Sequence, residues 1–220
     1  MHIRPLIVAI LPLAASFRRL LLCLPLSCFV AFAGPARAQC APSLHSNSAV
    51  PGTDNLVQAL TWWDPDGPGP RASVLVLGGT FQVAGSTLAK GIALYDPATA
   101  TCTGFSGTID GAVQAACTMP NGDLVVGGQF TVIDGVPANH VARWNGTSWS
   151  SLGLGVDATV RSLAVLPNGA LVTGGYFTTA GGQPAARVAQ WDGASWSALG
   201  AGVSNPSGSA VVFALQVTGN

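Results

Sequence analysis

The sequence predicts an all-β fold: a β-propeller of four-stranded blades, about three blades plus the start of a fourth. Three observations point there. Residues 124–155 (LVVGGQFTVIDGVPANHVARWNGTSWSSLGLG) and 171–202 (LVTGGYFTTAGGQPAARVAQWDGASWSALGAG) align without a gap at a spacing of 47, and a more divergent copy opens at LVLGGTFQVAG, 75–85. Repeats of this length, made of short apolar runs and turn signals, are the mark of radial β-blades. The composition agrees: 28 Gly, 15 Pro, no Glu and a single Lys, Lys90. Good helix formers are scarce and turn formers abundant.

The elements follow in order. Residues 1–38 carry Arg4, Arg18 and Arg19, an apolar run from Leu20 to Ala33, and Ala36-Arg37-Ala38 at the close. This is the pattern of a secretory signal peptide cut after Ala38, and its apolar run is shorter than the roughly 20 residues a membrane span needs. The expected location is therefore secreted, cell-surface or periplasmic, with no membrane span after cleavage. A lead-in covers 39–55, and the repeats occupy about 56–111, 112–158, 159–210 and a partial 211–220. Val212, Leu215 and Val217 match Val160, Leu163 and Val165, so the natural product is expected to continue past Asn220.

Each full copy predicts four strands. In the third copy these are Val160 to Leu166, Leu171 to Gly174, Arg187 to Trp191 and Ser195 to Leu199. Pro167-Asn168-Gly169 and Asp192-Gly193 turn the chain between them, as Asn121-Gly122 and Asn145-Gly146 do in the second copy. The first copy departs from the pattern. Asp64 to Pro70 lengthens its first hairpin, Tyr95 stands where Trp144 and Trp191 stand, and Cys102 falls near the second aromatic.

A Gly-Gly pair after an apolar strand, followed by an aromatic pair flanking a turn, resembles the kelch-type repeat of galactose-oxidase-like β-propellers. The carriers are Gly127, Gly128, Trp144 and Trp149, then Gly174, Gly175, Trp191 and Trp196. FTTAGG…WDG…WSALG is closer still to secreted bacterial tandem-repeat proteins of mostly unknown role. The likeness covers roughly 56–220 and implies fold rather than chemistry. In physical terms the glycines let the backbone bend and a neighbouring ring approach, and the indoles pack between blades.

Without the leader, Arg71, Lys90, Arg143, Arg161 and Arg187 stand against nine Asp, a net charge of −4. That gives no electrostatic footprint for nucleic acid. Cys40, Cys102 and Cys117 remain, and in an oxidising compartment one disulfide with one spare thiol is expected, Cys40 being a member with its partner open. No CxxC pair supports zinc, and no metal site or cofactor is expected.

Chemistry is thinly represented. A copper oxidase of the galactose-oxidase type would need Tyr and His ligands, but Tyr95 and Tyr176 fall on repeat positions and His45 lies in the lead-in. No nucleophile elbow, HExxH helix or phosphate loop is present, so no residue is named as catalytic. The loops between second and third strands (131–139, 178–186) and between blades (105–111, 153–159, 200–210) offer ligand-binding candidates: Asp110, Asp134, Asn139, His140, Asp157 and Arg187. The reading that results is a secreted, non-enzymatic scaffold binding a glycan, peptide or protein through these loops. The alternative is a piece of an extracellular propeller enzyme, oxidoreductase or glycan-active, whose catalytic residues lie outside this chain.

Overall fold

A computed structural model describes residues 52–67, 69–105, 107–204 and 210–218. The expected leader and the candidate Cys40 lie outside these residues. The described residues form strands and turns without helix, and no helix among them is long and apolar enough to cross a membrane.

Three four-stranded antiparallel sheets carry the fold. The first joins β1 (Val57–Trp63), β2 (Val74–Gly79), β5 (Ile92–Asp96) and β6 (Thr101–Gly104) in that order. The second joins β7 (Val113–Thr118), β8 (Leu124–Gly128), β11 (Val141–Trp144) and β12 (Trp149–Ser151). The third joins β13 (Val160–Val165), β14 (Leu171–Gly175), β17 (Val188–Trp191) and β18 (Trp196–Ala198). The first strands of successive blades lie beside one another, as strands lining a propeller channel do.

What the sequence read as plain loops between second and third strands are small hairpins. They are β3 (Val83–Ala84) with β4 (Thr87–Leu88), β9 (Val132–Ile133) with β10 (Val136–Pro137), and β15 (Thr179–Ala180) with β16 (Gln183–Pro184). Their tips, such as Asp134-Gly135 and Gly181-Gly182, take left-handed backbone angles, which short hairpin turns require.

Blades stack through alternating strand faces. Leu124, Val126, Ala142, Trp144 and Trp149 of the second blade bury against Ala59, Trp63, Val76 and Ile92 of the first. Val125, Val141 and Leu152 bury the other way, against Val160, Leu171, Ala189 and Trp196 of the third.

The Gly-Gly pairs explain how the sheets come so close. A Cβ on Gly78 would lie 2.5 Å from Val113 Cγ1, one on Gly127 would collide with Val160, and one on Gly174 would lie 2.5 Å from Val212 Cγ1. The first glycine of each pair thus receives a valine from the next blade. The second glycine lies against a main-chain carbonyl of its own blade's entry, at Leu56, Ala112 or Thr159. The neighbour expected from sequence was an aromatic ring. A β-branched side chain takes the place because it stands stiffly on the first strand.

The indole pairs sit cross-strand: Trp144 opposite Trp149 and Trp191 opposite Trp196, with centroids 5.3 and 5.4 Å apart at 51°. Tyr95 and Cys102 hold the same register in the first blade. Phe105 packs between blades, 6.1 Å from Trp63 and 5.5 Å from both Trp144 and Trp149. One blade further on, Trp196 Nε1–H donates to the Leu152 carbonyl at 2.6 Å.

Candidate functional site

The hairpins β3–β4, β9–β10 and β15–β16 and the loops between blades lie at one end of the sheets. The Asn-Gly and Asp-Gly turns lie at the other, as up-and-down strand order dictates. All six loop candidates belong to the first end.

Asp110 and Asp157 hold equivalent places there. Asp110 Oδ1 accepts the N–H groups of Thr131 (2.8 Å) and Val132 (3.0 Å), and its Oδ2 accepts the Thr131 hydroxyl at 2.6 Å. Asp157 does the same with Thr178 and Thr179: 2.7 and 2.9 Å from the N–H groups and 2.7 Å from the Thr178 hydroxyl. Asp54 accepts from the N–H groups of Gln82 and Val83 at the first blade. Each carboxylate ties the loop entering a blade to that blade's hairpin. The isolated bridges Thr53–Ala84, Ile109–Ile133 and Val156–Ala180 close the same joint.

Desolvation works to raise the pKa of Asp157, but hydrogen bonds from Thr179 N–H, the Thr178 hydroxyl and Thr178 N–H outweigh it, and the group ends below the usual carboxylate value. At Asp110 desolvation is again outweighed, by the Thr131 hydroxyl and the Val132 and Thr131 N–H groups. Hydrogen bonding to the charged form is what holds such a carboxylate ionised.

Asn139 joins the loop leaving its blade: its Nδ2 donates to the Leu154 carbonyl at 3.0 Å, and its own carbonyl accepts Val156 N–H at 3.1 Å. His140 and Arg187 occupy one structural position, immediately before the third strand rather than on it. Both have left-handed backbones, φ 65° and 69°. The glycine at the matching place in the first blade is Gly91, φ 87°. The three carbonyls accept from Gly128, Gly175 and Gly79 in turn. His140 Nδ1 lies 3.2 Å from the Gly128 carbonyl, and Arg187 donates to the carbonyls of Tyr176 and Phe177. Asp134, exposed at its hairpin tip, lies close against Gly107.

The candidates therefore share an end of the sheets but do not converge on a point. Among the described residues no three His, Cys, Asp or Glu side chains come together as a metal would need. Cys102 and Cys117 are both free thiols. Burial pushes the Cys117 thiol up to about 12 and raises that of Cys102. A concave pocket of about 340 Å³ lies beside the third hairpin, lined mainly by small residues including Ala185, Ala186, Gly200 and Ala201, with Arg187 at its wall.

A further set of polar residues escaped the sequence reading. The first strand of each of the three described four-stranded blades has a bulge at the same place, between Val57 and Ala59, Val113 and Ala115, and Val160 and Ser162. The residues left out of register are Gln58, Gln114 and Arg161. The repeated Val-Gln-Ala, Val-Gln-Ala, Val-Arg-Ser was the available signal. Bulges re-aim a side chain, and nothing in alternation alone reveals that.

Comparison with curated proteins and with solved structures finds no match. A family model, the Rax2 C-terminal beta propeller domain, matches residues 68–217. With its repeated four-stranded blades, the chain belongs to the Rax2 C-terminal β-propeller domain family.

Proposed function

We propose that the chain is an exported, non-enzymatic propeller scaffold that engages a protein partner through the end carrying its hairpins and interblade loops. One observation carries this reading. The two most regular carboxylates of that end, Asp110 and Asp157, spend their oxygens holding hairpins in place. A clamped hairpin presents a fixed surface, and pre-organised loops bind at a smaller entropic cost. The surface between the clamps is Gly-, Thr- and Val-rich, with Leu154 69% exposed, a composition fitted to a protein or peptide. The leader-like segment 1–38 supports export, and the Gly-Gly and Trp-pair signature fits a kelch-type blade.

A photo-crosslinking amino acid placed at position 154, and separately at Thr147 on the opposite end, tests the reading in the native host. The proposal expects a discrete adduct from position 154 and none from position 147. Equal labelling from both ends, or none from either, contradicts it.

A further inference from the structure

The bulged residues of the first strands form a row that the scaffold reading does not use. Gln114 on β7 is buried, 8% exposed, and its Oε1 has no hydrogen-bond donor among the described residues. Arg161 holds the same register position on the adjoining first strand β13. Its guanidinium lies over the ring of Tyr176 at 5.3 Å and that of Phe213 at 5.7 Å, and these two rings meet edge to face at 6.2 Å. Its Nε is buried without an acceptor. The one ion pair among the described residues joins Arg143 to Asp123, so no described carboxylate answers Arg161.

This is an unusual way to leave an arginine. The rings stabilise the cation through their faces, but they satisfy none of the in-plane N–H groups. Arg161 as a whole is half-buried, but its enclosed Nε–H lacks an acceptor, and a buried donor left unpaired is costly. The planar fork of a guanidinium matches a carboxylate, which takes two parallel N–H bonds.

We propose that Arg161 is a carboxylate-binding residue at the inner strands of the propeller, receiving an acidic side chain or a chain terminus of a bound peptide. This deepens the scaffold reading and rests on it.

The test uses the full-length protein and three acetylated tetrapeptides: Gly-Ser-Gly-Ala with a free C-terminus, Gly-Asp-Gly-Ala with an amidated C-terminus, and Gly-Ser-Gly-Ala with an amidated C-terminus. Each is titrated while the Arg161 Nε–H resonance is followed by ¹H–¹⁵N NMR. The proposal expects saturable shifts with one or both carboxylate peptides and none with the neutral one; which of the two acts identifies the source of the carboxylate. Arg161→Gln, which places at this bulge the residue found at Gln58 and Gln114, keeps the fold and weakens binding by about tenfold or more. Arg161→Lys recovers part of it, keeping charge without the fork. An unmoved Arg161 resonance, an equal response to the neutral peptide, or binding by Arg161→Gln within about twofold of the parent overturns the proposal. Should the peptides fail while the position-154 adduct persists, the carboxylate site falls and the scaffold stands; loss of the adduct as well removes both.

Discussion

Val160 stands in the place where a side chain on Gly127 would have to go. That contact joins the second blade to the third, and its counterparts at Gly78–Val113 and Gly174–Val212 repeat it along the chain. Gly127→Ala drives a methyl into a stiff β-branched neighbour, and overpacking of this kind costs about 1–3 kcal/mol. Pairing it with Val160→Ala makes room again, so the double variant loses less than the two single losses combined. Urea denaturation of the four proteins measures the coupling.

The two indoles of the third-blade pair differ in depth. Trp196 is 7% exposed and donates to Leu152 across the blade joint, whereas Trp191 is half-buried. Trp196→Ala costs about 3–5 kcal/mol and Trp191→Ala less. Trp196→Phe keeps most of the packing and loses about 1 kcal/mol for the hydrogen bond. Thermal unfolding orders the three variants.

Asp157 makes stability depend on pH. Its folded pKa lies below the ordinary carboxylate value because hydrogen bonds from Thr179 and Thr178 outweigh desolvation. The native state therefore holds its proton less tightly than the unfolded chain does. Its contribution is complete above about pH 4 and disappears as pH falls through the folded value. Asp157→Ala costs about 1 kcal/mol at neutral pH, a modest figure because the group is largely in water. The variant shows a shallower loss of stability on acidification than the parent, which parallel denaturation at pH 7 and pH 3 detects.

Gly91 holds the position at which His140 and Arg187 accept left-handed backbone. Gly91→Ala adds a Cβ at φ 87°, 3.2 Å from the Gly79 carbonyl oxygen. The expected cost is about 1 kcal/mol, read from the unfolding midpoint.

The Cys117 thiol, pushed up to about 12 by burial, is protonated at ordinary pH, and the thiolate is the reactive form. Iodoacetamide at pH 8 therefore alkylates Cys117 in urea but leaves it largely unmodified in the native protein, as peptide mass mapping shows.

The blades were legible because register is local. The 47-residue spacing, Asn121-Gly122 and Asn168-Gly169 place strands and turns, and the Trp144–Trp149 pairing needs only a hairpin of known length. The contacts between blades were not legible. That Gly127 meets a valine rather than a ring depends on how neighbouring sheets stack. The clamps of Asp110 and Asp157 span 21 residues and close only once hairpin and entry loop meet in space. Arg161 resembled an ordinary strand residue until the bulge beside it took it out of the ladder.

The most direct measurement of blade stacking is a ¹³C-edited nuclear Overhauser spectrum of the full-length protein with Val160 and Gly127 assigned. The stacking described here predicts a strong cross-peak between a Val160 methyl and the Gly127 Hα protons. Its absence, with both resonances sharp and assigned, contradicts the way these blades join.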